Sequence, residues 1–514
     1  MRFNTYFTLF ILLLLAYFPL FLHLNSMPLM LWDESRLAVS AYEMLQNKNF
    51  IVVTYGNNPD LWSVKPPLMI WLVAISFKFL GYNEIALRLP SALCGLFTVL
   101  VIYRFCITFF KDETVAFFSV FVLITTKGYI DYHVTRTGDY DALLILFQVC
   151  SYLFFIKYHF QSPAFKHKKH LYLSALFLSL AILTKGIAGL LLCPALLVFI
   201  ILDKKSKEYF TVISTYGAIL VAILPFSVYI IVREYYSGGY IAALWKMELF
   251  NRYVQGDGDN AILNFSILDK IEYYLGRMYD VDFSPWLFVL PLSVVAIFKS
   301  ENKVQQKVLL LFILNFIVFM TIITFSSSKK PWYEAPIYPF LAVVVGYGIS
   351  CLYNELKFFF KENKNYLSKG GLILLAIFYL GFPYLRILQK YHFSVDMVHG
   401  WEQRQYRPFM KEQSTKTGFC VLQTGYNASI EFTKNVLNEE GQFKIHAISI
   451  HDTTTFPQKI NVGDKYMVCE KEAKDSVDKY FTYKTLDSSR TCGLIEVLAK
   501  RSLSISDSGK ALTQ

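Results

Sequence analysis

Residues 7–36 read FTLFILLLLAYFPLFLHLNSMPLMLWDESR: an apolar run to Leu24, the turn formers Asn25-Ser26-Met27-Pro28, and then Asp33-Glu34. About 20 apolar residues are what a helix needs to cross the hydrocarbon core of a bilayer. Arg2 precedes the run and no small-x-small site follows it, so it reads as an uncleaved membrane anchor. A carboxylate pair at a membrane surface, followed by Lys65-Pro66-Pro67-Leu68 at the head of a second apolar stretch, is a poor design for an inert anchor. It suits holding a hydroxyl nucleophile beside a lipid phosphate.

The rest of the chain supplies the membrane. Of 514 residues, 54% are hydrophobic, 17% aromatic and 17% charged, against about 25% charged in a soluble domain. Further apolar runs cover roughly 88–110, 114–131, 141–160, 171–184, 187–202, 209–232, 284–298, 307–325, 335–354 and 370–388. With the first run they make about eleven spans, which predicts an α-helical polytopic membrane protein of 11–13 transmembrane helices. Leu68–Leu80 is about 13 residues long, contains Lys78 and ends at Gly81, so it reads as interfacial or re-entrant.

Lysines concentrate in the connections 157–170 (Lys157, Lys166, Lys168, Lys169), 203–208 (Lys204, Lys205, Lys207), 299–307 (Lys299, Lys303, Lys307) and 355–369 (Lys357, Lys361, Lys364, Lys369). With eleven spans and the N-terminus inside, all four lie on the cytoplasmic face. The same parity puts 25–87, 132–140, 184–187, 233–283, 326–334 and the tail from about 390 on the outer face. The net charge of +11 therefore reflects membrane orientation more than a nucleic-acid partner. Of the 8 cysteines, Cys94, Cys106, Cys150, Cys193 and Cys351 lie in apolar runs, where a thiol acts as a small hydrophobe. Cys420, Cys469 and Cys492 lie in the polar tail, an odd number that says little about redox compartment.

The outer segments gather the unusual residues. They carry Trp32-Asp33-Glu34-Ser35-Arg36, Lys65-Pro66-Pro67, the stretch His133–Asp141 (HVTRTGDYD), Leu183-Thr184-Lys185-Gly186, Trp245–Tyr253, Asp282–Trp286 and Ser328–Pro336 (SKKPWYEAP). Lysine and arginine here run against the orientation rule, and ionisable groups next to hydrocarbon are costly and usually functional.

In their order and spacing these motifs resemble one family. Asp33-Glu34, then Lys65-Pro66-Pro67-Leu68-x-x-Trp71-Leu72, Arg88–Leu93 (RLPSAL), Arg136 with Asp141–Leu144 (DALL) and Leu183-Thr184-Lys185-Gly186 carry the likeness. It continues through Glu248-x-x-x-Arg252-Tyr253, Pro285-Trp286 and Lys330-x-x-Tyr333-x-x-Pro336, over about 300 residues. The chain resembles the GT-C glycosyltransferases that use polyprenyl-phosphate sugars, the protein O-mannosyltransferase superfamily, and within it the aminoarabinose lipid A transferase branch. The resemblance implies an inverting transfer of a hexosyl or pentosyl group from an undecaprenyl-phosphate-type donor to a hydroxyl or phosphate of a lipid, glycan or protein acceptor. The setting it implies is the outer face of a bacterial inner membrane. Asp33 matches the general base and Lys65 the phosphate-binding lysine, with Arg136, Lys185, Glu248, Arg252, Lys330 and Tyr333 as further substrate-binding candidates. Asp141 fits the family's spacing from Arg136, whereas Asp139 fits the Asp-x-Asp pattern of related oligosaccharyltransferases.

The residue types support this chemistry on their own. A hydroxyl needs a base, a carboxylate can serve, and fixed cations stabilise a departing phosphate. Each assignment has a plainer alternative. Asp33 can start a helix over Ser35–Leu45, Glu34 reads as structural, Lys65 can snorkel, Pro66-Pro67 can open the next helix, and Tyr333 can be a belt aromatic. His133 lacks a nearby His or Cys partner for a metal, and the branch's Glu before Lys-Pro-Pro is Val64 here, so the sequence supports no divalent metal or other cofactor.

The division expected is a transmembrane domain over 1–388 and a small extracytoplasmic α/β domain over 389–514. In the tail the alternating stretches Phe419–Leu422, Phe443–Ile450 and Lys465–Cys469 are separated by turn formers, and Ser502–Gln514 reads as disordered. A polytopic lipid or solute transporter is the alternative class, but it should show repeated halves and midplane charges. A non-catalytic scaffold would not need carboxylates and cations converging on one face.

Overall fold

The computed structural model describes residues 5–161, 167–255, 266–362, 379–390, 401–450 and 456–501. Lys166, Lys364, Lys369, most of the run at 370–388 and the stretch Ser502–Gln514 lie outside them. The chain forms two compact units, Met1–Leu24 with Glu43–Ser394, and Asn25–Tyr42 with Val395–Gln514.

In the first unit the elements run α1 Thr5–Phe21, the end of α2 Asp33–Asn47, the short hairpin β1 Thr54–Tyr55 and β2 Asn58–Pro59, then α3 Leu68–Leu80, α4 Glu84–Phe109 and α5 Glu113–Ile124. There follow α6 Asp141–His159, α7 Lys168–Lys185, α8 Cys193–Leu202, α9 Ser206–Thr211, α10 Ile213–Ser237 and α11 Tyr240–Leu244. A wide π-type helix Trp245–Gln255 leads on to α12 Ile267–Arg277, α13 Leu290–Phe298, α14 Lys303–Phe325 and α15 Tyr338–Glu362. Among the described residues six helices are long and apolar enough to cross a membrane, or seven if Ile267–Asp282 and Trp286–Phe298, bent by 110°, form one broken span. Tyr6–Phe21, Leu68–Leu80, Glu113–Thr125 and Cys193–Leu202 are shorter apolar helices. Each apolar run read from the sequence falls on one of these helices or, for the last, on its described part.

Local chemistry sets the boundaries. Asn83, Asp112 and Asn302 cap α4, α5 and α14 by accepting from first-turn amides, the arrangement that satisfies otherwise orphaned donors. Pro66-Pro67 precede α3, whose buried Met69, Ile70, Val73, Ala74 and Phe77 share one face. Pro19 lies inside α1 and has no N–H for the Leu15 carbonyl, so the Tyr384 hydroxyl donates to that carbonyl instead, at 2.9 Å. Small residues let the helices approach closely. A side chain at Gly346 would meet Ser119, and one at Gly348 would meet Ser293.

The second unit contains a five-stranded sheet, β3 Phe419–Gln423, β4 Ile445–Ser449, β5 Lys465–Val468, β6 Phe481–Ser488 and β7 Gly493–Lys500, in the order β4-β3-β5-β7-β6. β3 runs parallel to β4 and β5, while β7 is antiparallel to β5 and β6. Alternation along β3 sends Phe419 and Val421 to one core and Cys420 and Leu422 to the other, as a period of two requires. Helices Ala428–Glu440 and Lys471–Tyr480 provide the connections, and a Cys469–Cys492 disulfide ties β5 to β7.

Candidate active site

The candidate site in the first unit is built where α6 begins and α7 ends. The Lys185 ammonium, at the end of α7, lies 2.7 Å from both carboxylate oxygens of Asp141, the first residue of α6. Asp141 is 4% and Lys185 6% exposed. An anion at a helix start and a cation at a helix end each also suit the helix dipole. The pair borders a small cavity walled by Leu144, Ala188, Leu191, Phe319, Ile322 and Ile323, with Arg252, Ser326, Tyr333 and Pro336 completing it.

Arg252 lies 3.0 Å from Glu248, one turn earlier on the π-type helix, and its guanidinium carbon is 5.8 Å from the Tyr333 ring centre. The Arg252 carbonyl accepts from Ser326 Oγ and from the amides of Ser327 and Ser328, which fixes this helix to the loop after α14. Lys65 Nζ stands 4.9 Å over the ring of Tyr140, the residue before Asp141. The structure thus gathers Lys65, Asp141, Lys185, Glu248, Arg252 and Tyr333 into one neighbourhood through Tyr140 and the cavity.

Three expected site residues do not line this cavity. Arg136 donates to the carbonyls of Pro19 (2.6 Å) and Leu22 (2.8 Å), closing the end of α1, and does not line the cavity. Lys330 does not line it either; its carbonyl accepts from the Tyr333 amide. Its neighbour Lys329 is buried and donates to the Ile323 and Thr324 carbonyls at the end of α14. Asp139 is buried and accepts from Thr137 Oγ1 at 2.6 Å, with His133 Nδ1 3.5 Å away and the His133 ring stacked on Trp332.

Asp33 and Glu34 belong to the second unit. The helix begins at Asp33 itself, and buried Glu34 accepts from the Met30 amide at 2.7 Å, a role in closing the turn.

Sequence reasoning passed over several residues. Arg233, fully buried at the end of α10, donates to the carbonyls of Val53 and Asp60 at 3.1 and 3.3 Å. Its guanidinium carbon is 5.3 Å from the ring of Tyr240, whose hydroxyl donates to the Val64 carbonyl at 2.7 Å. Together they brace the loop ahead of Lys65. The signal was an arginine at the edge of the apolar run 209–232, a costly placement. Glu334 is also buried, and the Tyr338 hydroxyl donates to it at 2.6 Å. Burial, then the Asp282 charge beside it, push the Glu334 carboxyl well above the ordinary carboxylate range. Asp282 in turn is 2.7 Å from Arg277.

With this geometry, comparison with solved structures is informative. ArnT from Cupriavidus metallidurans bound to undecaprenyl phosphate superposes with a TM-score of 0.71, at 14% identity, over 95% of this chain and 97% of that one. This is the GT-C fold. The Archaeoglobus fulgidus oligosaccharyltransferase in its apo form matches with a TM-score of 0.56, at 12% identity, over 94% of this chain and 70% of that one. Residues 64–236 match the family model described as dolichyl-phosphate-mannose-protein mannosyltransferase, so the resemblance to the protein O-mannosyltransferase superfamily holds. An uncharacterized protein of Aquifex aeolicus is 25% identical over 316 residues, 61% of this chain and 58% of that protein. The undecaprenyl phosphate-alpha-4-amino-4-deoxy-L-arabinose arabinosyl transferase of Wigglesworthia glossinidia brevipalpis is 26% identical over 331 residues, 62% of this chain and 55% of that protein. The chain therefore spans a little over half the length of these two relatives.

Two outcomes follow from the site's electrostatics. Removing one partner of the buried ion pair, as Asp141→Asn or Lys185→Met, strands a charge and should cost about 3–5 kcal/mol. The double variant should recover part of that loss, and a double-mutant cycle on thermal unfolding measures it; strictly additive losses would show the two groups to be independent. The raised Glu334 carboxyl means that the folded protein holds a proton the unfolded chain releases, so stability falls as pH climbs above the ordinary carboxylate value. Glu334→Gln has no such proton, so its melting temperature should gain on the wild type between about pH 5 and 8. Parallel melting curves across that range would count against a neutral Glu334.

Proposed function

We propose that the protein is an inverting glycosyltransferase that takes a sugar from a polyprenyl phosphate and places it on a hydroxyl of a lipid, glycan or protein. The supporting observation is the pair of cations Lys185 and Arg252 with Tyr333 at an apolar-walled cavity between apolar helices, with Lys65 over the ring of Tyr140, the residue before the cavity's Asp141. A lipid phosphate has matching chemistry, an anionic head on a hydrocarbon tail. An arginine fork suits phosphate bidentately, and a lysine supplies a point charge.

The acceptor oxygen attacks the anomeric carbon from the face opposite the phosphate. The carbon–oxygen bond to phosphate breaks, its electron pair stays on the phosphate oxygen, and the hydroxyl proton passes to a carboxylate. Asp33 is the proposed base. Asp141 is a weaker choice, because Lys185 occupies both of its oxygens; its role on this reading is to hold Lys185. Asp139, Glu34, Glu248, Arg136 and Lys330 remain proposed contributors, of which Glu248 orients Arg252.

Action at the outer face is supported by the lysine-rich loops opposite and by the Cys469–Cys492 disulfide, since disulfides persist in oxidising compartments. On this reading the domain division at about residue 389 separates a membrane-embedded part from one facing the periplasm.

A panel of polyprenyl-phosphate sugars offered to the purified enzyme with lipid, glycan and peptide acceptors tests the reaction. One donor should be consumed, and Asp33→Asn should lower turnover by about two orders of magnitude or more while undecaprenyl phosphate still binds. Lys65→Met and Arg252→Lys should weaken that binding. A full panel left intact, with no binding of undecaprenyl phosphate, would sink the proposal. For orientation, Asn58→Cys and Glu412→Cys, both at exposed positions, should label with an impermeant thiol reagent from the periplasmic side. Labelling from opposite sides would contradict the shared outer face.

A further inference from the structure

The short segment Asn25–Tyr42 forms a compact unit with Val395–Gln514, although about 350 residues of sequence separate them. Among the described residues Trp32, Arg36 and Tyr42 contribute to the association. The Trp32 ring stacks on Tyr426, with centres 5.1 Å apart and planes 23° from parallel. One turn later, Arg36 places its guanidinium carbon 5.6 Å from the same ring and donates to the Tyr426 hydroxyl at 3.3 Å. Further along the helix, the Tyr42 hydroxyl donates to the Asn435 carbonyl at 3.3 Å.

Tyr426 is itself well fixed. It lies between β3 and the helix Ala428–Glu440, whose first turn is capped by Asn427. Gly425 supplies a left-handed turn (φ 75°), and Thr424 donates through its amide and hydroxyl to Glu470 at the end of β5. The loop therefore sits at the carboxyl ends of two neighbouring parallel strands, β3 and β5, whose following connections lead to opposite sides of the sheet. In open α/β sheets this is where a ligand is usually held. Here the side chain presented from that point holds a segment of the same chain.

What it holds is Trp32 and Arg36, the residues on either side of Asp33 in this turn. Trp32 has φ 74°, a left-handed conformation that costs a bulky residue about 1–2 kcal/mol and persists only when its surroundings impose it. The next residue starts the helix, so the Trp32 conformation sets where the Asp33 carboxylate projects. We propose that Tyr426 is a positioning residue for Asp33, and that the C-terminal domain serves as the holder of the segment carrying the base. This rests on the reading of Asp33 as base. The ring supplies the stack and the cation contact, and the hydroxyl accepts from Arg36.

The test uses the full chain in lipid nanodiscs, with three measurements on each variant: amide hydrogen exchange over Asp33–Val39, binding of undecaprenyl phosphate, and turnover of the donor sugar that the wild type consumes. In Tyr426→Ala, exchange over Asp33–Val39 should rise while β3 and β5 stay protected. Turnover should fall about tenfold or more, as loss of orientation predicts, with undecaprenyl phosphate affinity within about twofold. Tyr426→Phe keeps the ring and should restore most of the rate, which a hydroxyl-based role would not allow. If Tyr426→Ala fails to fold, Trp32→Leu removes the stack from the other side and leaves the sheet untouched. Adding Tyr426→Ala to Asp33→Asn should slow the enzyme no further, because the first acts through the second; a further loss overturns the proposal. So does unchanged exchange or unchanged turnover in Tyr426→Ala when Asp33→Asn is inactive. A fully active Asp33→Asn would instead bring down the base assignment itself, and with it the catalytic part of this inference, whatever Tyr426→Ala does.

Discussion

The bidentate contact between Lys185 and Asp141 fixes the geometry on which the candidate site depends. It joins the end of one apolar helix to the start of its antiparallel neighbour where both side chains are buried. Two ions buried this way are stable only together, since either alone carries a desolvation penalty of several kcal/mol. The pair therefore holds the ends of α6 and α7 in register. Tyr140, the residue before Asp141, then carries the ring over which Lys65 sits, and the cavity wall between the two helices reaches Arg252 and Tyr333.

A second constraint recurs around this centre. The last carbonyls of a helix have no partner within it, and in an apolar setting they must find one. Arg136 and Arg88 serve the end of α1, with Arg88 donating to the Leu24 carbonyl at 2.6 Å, and Lys329 serves the end of α14. Each of these cations donates to backbone carbonyls. Among the described residues some basic side chains close helix ends, as Arg136, Arg88 and Lys329 do, and others line the cavity, as Lys185 and Arg252 do. Sequence position does not separate them.

That distinction explains what was legible beforehand. Apolar runs, caps and the prolines before α3 are local signals, so the helices and the three parallel strands of the tail could be read with their approximate limits. The order of motifs singled out Lys65, Arg136, Lys185, Glu248, Arg252, Lys330 and Tyr333, of which Lys185, Arg252 and Tyr333 line one cavity. Arg136 looked equivalent because its motif is equally well placed, but its direction is decided by the end of α1, more than a hundred residues away. Lys330 and Lys329 are adjacent and chemically alike, and only the packing against Tyr274 and the end of α14 tells them apart. The brace of Arg233 and Tyr240 was hidden for a similar reason, since its partners are backbone carbonyls that leave no mark in sequence.

The grouping of Asn25–Tyr42 with the tail is the least local feature of all. A helix start with two acids reads as an ordinary amphipathic beginning, and Glu34 accepts locally from the Met30 amide. Nothing in that stretch announces a long-range partner except Trp32 and Arg36, an aromatic and a cation spaced by one turn. Such a spacing makes a two-sided grip for a single ring, and Tyr426 fills it. On the proposed reading the grip fixes the residue before the base and another, three residues after it, so the direction of the Asp33 carboxylate is set inside the second unit by a partner far away in sequence.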